Sequence, residues 1–417
     1  MMVEHLLDLG EDLIVEILTH LPTRSVLVAR AVCIDFRRVA TSAAFLAAHA
    51  HRRPLAPLEI LLYDRTTTGH VDDYVYLNAL SVSVRHPGRP ARRPLARLPA
   101  TKPQAELLGE QFCLPLASCD GLLLLGTAVA GQYLVSNPTT RQWAELPRLR
   151  RPHIEDGGRS LESLHTSAYQ ESGFYFHEPS CEYRLLCHVT IQEGLPPAYY
   201  IFSTGADEPR RLDNVKAGSI GDFFSPSGCD MITPAVLRGH LHWLRHPEAG
   251  SAGEMAAFDT ADETFRRMPA PPVANELLAR LLVADGSLMA SEFRKLAVDL
   301  WVLEGYAGAA SASAGGTRWE LRHSFEVPWQ ARMPTSALVV IGGDEEGDVV
   351  LGTRHGVAVY DVRSRTVRAV DVGPGGSKGV RLTQRALRIR ESLVRHTFFE
   401  TQRHPGIPSL YWRFCSC

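Results

Sequence analysis

The sequence predicts an α+β multidomain chain: a small helical unit at the N-terminus, then a large all-β domain resembling a β-propeller of about six to eight blades. Three observations carry this expectation. Apolar residues fall at helical spacing only near the N-terminus, from Leu9 to about Ala50. From Leu58 onward, short runs rich in β-branched, leucine and aromatic residues recur, separated by Gly, Pro, Asp and Asn. A hairpin layout also repeats through that region, at intervals of roughly 40 to 65 residues, the period expected of propeller blades.

The helical unit is expected over residues 4–50. Leu13, Ile14, Ile17, Leu18 and Leu21 follow the i, i+3/i+4, i+7/i+8 rule and share one stripe. Pro22 ends that helix, because it has no N–H to continue the ladder. A second short helix is expected around Ser25 to Arg30, a third piece carries Val32, Cys33 and Phe36, and a fourth runs through SAAFLAAHA. So small a unit buries little surface alone and needs a partner, internal or external. By spacing alone the stripe fits either a cap on the β domain or a surface for another protein.

Residues 51–57, with RRPLAP, read as a linker; the β domain is expected over 58–403 and a tail over 404–417. The strand candidates include LEILLY, YVYLNALSVSV, GLLLLG, QYLVS, YRLLCHVTI, AYYIFS, HLHWL, ALVVIGG, DVVLGT and GVAVYDV. The stretch PVANELLARLLV (272–283) fits a helix or a loop followed by a strand. The repeat is clearest in YLVSNPTTRQW, MAAFDTADETF and VAVYDVRSRTV. Asn137, Asp259 and Asp361 begin a tight turn there, and Trp143, Phe265 and Val367 stand on the returning strand. Radial stacking of such sheets leaves few exposed edges.

Composition narrows the function classes. A hydrophobic fraction of 45% and a charged fraction of 22% describe a globular chain. The net charge of −2 gives no general attraction to nucleic acid or anionic membrane, and neither is expected as a partner. No apolar run approaches the ~20 residues of a membrane span. MMVEHLLDLGED lacks a basic n-region, so no secretory signal is expected. The 8 cysteines never form C-x2-C, which argues for reduced thiols rather than zinc or a disulfide scaffold. The expected address is cytoplasm, nucleus or both.

Sites of bond chemistry are not expected, and neither are cofactors. GGSKG (375–379) matches G-x-S-x-G in letters, but the strand–turn–helix context of a nucleophile elbow is missing. His240 and His242 in HLHWLRH share one face of a strand, with no acidic or cysteine ligand in the motif. RHPGRPARRPLAR (85–97) reads as a solvated basic loop, and ASASAGG (310–316) as a flexible one.

The order of residues at the N-terminus resembles an F-box. Leu9, Asp12-Leu13, Glu16-Ile17-Leu18, Leu21-Pro22, Ser25-Val26, Arg30, Val32-Cys33, Phe36-Arg37 and Phe45 follow that family's pattern in order and register. Gly10 stands where proline is usual, and Phe36 where tryptophan is usual. The remainder is similar to an F-box-associated domain of the plant type: SCDGLLLLG with YLVSNPTTRQWAELP, GHLHWL with AFDTADETFRRMP, LAVDLWVLEGY, and the late RESLVRH.

The resemblance implies a substrate-recognition subunit of a Skp–cullin–F-box ubiquitin ligase. It would bind a Skp-family adaptor, and through it cullin, and present an unidentified target protein. Leu9, Leu13, Ile17, Leu18, Leu21, Pro22, Val32, Cys33 and Phe36 would be the adaptor-binding residues, some of them holding the helices together instead. A propeller enzyme, such as a kelch-like oxidase or a glycan hydrolase, is the alternative from another class; it needs a metal or carboxylate constellation at the channel. A ligase-independent protein-binding module is the third.

Overall fold

The structure, a computed structural model, describes residues 10–51, 58–66, 74–82, 92–99, 114–126, 131–149, 169–189, 198–213, 233–245, 253–273, 279–294, 297–306, 316–326, 338–343, 348–353, 356–370, 380–382, 387–394 and 396–401.

Four helices open the chain: α1 (Glu11–His20), α2 (Thr23–Ala29), α3 (Ile34–Thr41) and α4 (Ala43–His51). Acidic Glu11 and Asp12 sit in the first turn of α1, against its positive dipole end. The chain leaves α1 extended at Leu21, and Pro22 begins the next helix at φ −57°, the angle its ring imposes. Cys33 and Ser42 accept hydrogen bonds from the N–H groups of Phe36 (3.4 Å) and Phe45 (3.3 Å), capping α3 and α4.

The β domain is a six-bladed propeller, one antiparallel sheet per blade. Blade 1 takes β1 (Leu58–Thr66), β2 (Tyr74–Val82) and β3 (Arg92–Pro99) from the start of the domain. Blade 2 is β4 (Leu114–Cys119), β5 (Leu122–Gly126), β6 (Tyr133–Asn137) and β7 (Gln142–Glu145). Blade 3 is β8 (Tyr169–His177), β9 (Glu182–Val189), β10 (Ala198–Ser203) and β11 (Arg210–Arg211). Blade 4 is β12 (Ala235–Leu237), β13 (His240–Trp243), β14 (Glu254–Asp259) and β15 (Thr264–Pro269). Blade 5 is β16 (Ala279–Ala284), β17 (Ser287–Arg294), β18 (Ala297–Glu304) and β19 (Arg318–Glu326). Blade 6 is β20 (Leu338–Gly343), β21 (Val349–Thr353), β22 (Gly356–Asp361) and β23 (Thr366–Val370). The described part of PVANELLARLLV thus ends as strand β16. Two strands from the far end of the chain, β24 (Val380–Leu382) and β25 (Arg388–Ile389), pair with β1 and complete blade 1. The ring is closed by pairing strands from its two ends in one blade. A short helix, α5 (Phe398–Thr401), follows.

The core lies between blades, which explains why the strands read as continuous apolar runs instead of alternating with polar residues. In LLLL of β5, Leu123 and Leu125 pack toward blade 1 with Leu77, Ala79 and Ile389. Leu122 and Leu124 point the other way, toward Phe174, Leu185 and Phe202 of blade 3. Blade 4 divides likewise: Ala256 and Phe258 meet blade 3, and Met255 and Ala257 meet blade 5.

The repeated hairpin has one physical basis. Asn137, Asp259 and Asp361 each end the third strand of a blade, and each side-chain oxygen accepts the N–H groups two and three residues on, at 2.9 to 3.2 Å. Arg141, Glu263 and Arg365 close the turns with φ of 62°, 53° and 54°. Between the first and second strands, Asp120-Gly121, Arg238-Gly239 and Asp285-Gly286 make two-residue turns with positive φ at both positions, which suit the twist of a hairpin.

A charged latch joins blades 3 and 4. Buried Glu263 accepts from Tyr175 Oη (2.8 Å) and Arg184 Nη1 (2.6 Å), and pairs with Arg210 as well. Burial alone would raise the Glu263 pKa, but the bonds from Arg184 and Tyr175 and the arginine charges outweigh it and hold the carboxyl below its ordinary value.

Candidate functional site

The helical bundle has a buried apolar core and, outside it, a set of exposed apolar side chains. Ile14, Leu18, Val26, Ala29, Val39, Ala40, Phe45 and Leu46 form its core. Leu13 and Ile17 sit one residue earlier on α1, about 100° round the helix from Ile14 and Leu18, and face out. Leu13 is 55% exposed and Ile17 46%, whereas Leu18 is 1% exposed. Val28, at the end of α2, and Val32 and Ile34, flanking the start of α3, are 61%, 66% and 81% exposed. Among the described residues, the other large apolar side chains exposed to this degree are Val236 and Leu321, one each in blades 4 and 5. Apolar exposure therefore concentrates on this bundle. Open water disfavours such residues, so their number within one small bundle sets it apart from the described blades.

The remaining residues singled out from sequence take other positions. Leu21 and Phe36 are half-buried against the bundle core. Pro22 is exposed at the α1–α2 junction, and Cys33 is half-buried as the cap of α3. Leu9 lies outside the described residues. Gly10, standing in the usual proline position, precedes α1 at φ −58°, an angle proline itself would hold. Val28 and Ile34 are not among the residues singled out from sequence; the extent of their exposure depends on how α2 and α3 pack.

The bundle is rigidified by polar contacts at its joints. His49, buried, donates from Nε2 to the Leu21 carbonyl at 3.0 Å, satisfying the end of α1. Arg30 Nη2 donates to the Ala40 carbonyl at 2.7 Å, and Arg37 Nε to the Arg30 carbonyl at 3.1 Å. Arg38 pairs with Glu11 at 2.8 Å, tying α3 to α1 across an exposed edge.

The histidine motif and the basic run find structural partners. His242 is buried, with Nδ1 donating to the Ala235 carbonyl at 3.1 Å and Nε2 2.7 Å from Tyr306 Oη. Burial lowers its pKa to about 4. His240 lies 3.3 Å from Asp259. Among the described residues no group of three or more His, Cys, Asp or Glu is placed to hold a metal ion. The second half of RHPGRPARRPLAR is strand β3, not loop; Arg93 there pairs with Glu59 at 2.8 Å and Glu391 at 3.2 Å. GGSKG lies outside the described residues, as does nearly all of ASASAGG. No described helix is long and apolar enough to cross a membrane.

Residues 6–47 match the F-box domain family. The chain is 23% identical over 320 residues to "F-box protein At3g07870" of Arabidopsis thaliana, covering 72% of this chain and 69% of that one. Among solved structures, the β-propeller domain of Cps50 (Swd1) from Myceliophteria thermophila is similar with a TM-score of 0.35 and 11% identity, over 76% of this chain and 90% of that one. The luciferin-regenerating enzyme is similar with a TM-score of 0.32 and 10% identity, over 79% of this chain and 97% of that one. The chain therefore carries an F-box domain and has a plant F-box protein as a homologue.

Proposed function

We propose that this chain is the substrate-recognition subunit of a Skp–cullin–F-box ubiquitin ligase, working in the cytoplasm, the nucleus or both. The observation that carries the reading is the set of exposed apolar residues on a bundle that matches the F-box family: Leu13, Ile17, Val28, Val32 and Ile34 stand outside its core. In this reading Leu13, Ile17, Pro22 and Val32 meet the Skp-family adaptor, with Val28 and Ile34 beside them. Leu18, Leu21, Cys33 and Phe36 hold the helices in place. A standard interface takes ~800 Å² from each partner, within reach of a surface this size.

The chain then performs no bond chemistry itself. It holds a target protein beside the ubiquitin-conjugating enzyme and raises the effective concentration of the target's lysines there. The rigid propeller provides the target surface. Coexpression with a Skp-family adaptor tests the reading: the full chain should elute with the adaptor as one complex on size-exclusion chromatography, and a chain lacking residues 1–51 should not. Adaptor capture by the truncated chain would sink it.

A further inference from the structure

Within RESLVRH, residues 390–394, which directly follow β25, and His396 touch four parts of the molecule. Glu391 reaches Arg93 of blade 1 at 3.2 Å. The Ser392 carbonyl accepts from Asn137 Nδ2 of blade 2 at 3.1 Å, a buried bond between positions 255 residues apart. Leu393, 2% exposed, inserts into the core of the helical bundle with Ile14, Leu18, Val26 and Phe45. The His396 ring lies edge-on to Tyr183 of blade 3, centroids 5.0 Å apart. The segment is pressed against the Asp120-Gly121 turn: a Cβ on Gly121 would stand 2.5 Å from Ser392 Cβ and 2.9 Å from the Arg390 carbonyl oxygen.

Asn137 is informative by contrast. The matching turn residues in blades 4 and 6, Asp259 and Asp361, accept the same two N–H groups with a carboxylate. An aspartate at 137 would serve the turn equally well but cannot donate to Ser392. The amide does both, accepting with Oδ1 and donating with Nδ2.

We propose that this strap makes adaptor binding conditional on a closed propeller. The segment that zips β25 onto β1 also supplies Leu393 to the bundle, which is too small to make a secure core from its own residues. The bundle reaches its adaptor-competent fold only when the ring is shut, so a receptor with an open ring is not recruited to the ligase. The proposal rests on the adaptor reading above and adds a condition to it.

The test uses the full chain, with hydrogen exchange over α1–α4 and affinity for a purified Skp-family adaptor as paired readouts. Asn137→Asp keeps the turn and removes the strap bond. It should speed exchange in α1–α4 and weaken adaptor binding roughly tenfold, since it leaves a buried carbonyl facing a carboxylate. Leu393→Ala should do the same without touching blade 2, and Leu393→Met should restore both readouts. Strands β13, β14 and β17 should stay protected in Leu393→Ala. Unchanged exchange in α1–α4 with affinity within about twofold of wild type, in both Asn137→Asp and Leu393→Ala, would overturn the proposal. So would uniform loss of protection across all blades in Leu393→Ala. A wild-type chain that binds no adaptor would instead refute the ligase reading, and the exchange readout would still decide the strap.

Discussion

Leu13 and Leu18 are the same residue type on the same helix, and the structure assigns them opposite jobs. Replacing Leu13 and Ile17 together by alanine removes side chains that are 55% and 46% exposed, so the chain's stability should move by no more than about 0.5 kcal/mol. Full burial of such a side chain is worth about 1.5–3 kcal/mol, so covering the exposed half of each contributes about 1 kcal/mol. The pair therefore accounts for about 2 kcal/mol of adaptor binding, roughly a 30-fold rise in Kd when both are lost. Leu18→Ala should behave differently: at 1% exposure it leaves a cavity and costs the bundle about 2–5 kcal/mol. Calorimetric titration with a Skp-family adaptor, paired with thermal melts of each variant, separates the two. A Leu13→Ala, Ile17→Ala chain that melts and binds as wild type would refute the outward-face argument. Destabilisation by that double substitution as large as by Leu18→Ala would refute it equally.

Two further predictions concern the propeller. Glu263→Gln keeps the shape of the latch but leaves Arg184 and Arg210 without their shared carboxylate, and should lower stability at pH 7 by about 1–3 kcal/mol in urea titrations. Because the folded pKa of Glu263 lies below its unfolded value, its contribution is present above the unfolded pKa and fades as pH falls through the folded one. The wild-type advantage over the glutamine variant should therefore shrink in acid, and an advantage independent of pH would count against the latch. Buried His188 and His242 have pKa values lowered by burial to about 4. The unfolded chain binds protons there first, so stability should fall as pH drops below about 6.5 and level off near 4, by up to about 3 kcal/mol for each histidine. His242→Gln should make that decline shallower; an identical acid profile would show that His242 is not one of the groups responsible.

Much of this molecule was legible locally. Turn chemistry is a matter of neighbouring residues, so Asn137, Asp259 and Asp361 announced their hairpins, and the hydrogen bonds that each side chain accepts explain why. The spacing of Leu13, Ile14, Ile17 and Leu18 announced a helix for the same reason. Apolar runs such as LLLL at 122–125 announced strands buried on both faces, and the two inter-blade cores account for the missing alternation. The count of six blades lay within the expected range and was set by where strands pair.

Other features required the tertiary structure. The α1 stripe is wider than one core can cover, and periodicity marks it as apolar without saying which part meets its own chain; α2, α3 and Leu393 decide that by covering Ile14 and Leu18 and leaving Leu13 and Ile17 bare. Val28 and Ile34 follow no helical pattern of their own, and their exposure appears only once the helices are packed. RESLVRH was a motif without a place until the chain's last strands returned to β1 and brought Leu393 into the bundle and Ser392 against Asn137. The amino-acid sequence by itself determined the helical unit, the hairpins and a repeat on the scale of six to eight blades, because each depends on residues a few positions apart. Only the packed bundle decided which side of α1 is free, and only the closed ring brought Leu393 into its core, because that contact joins residues from opposite ends of the chain.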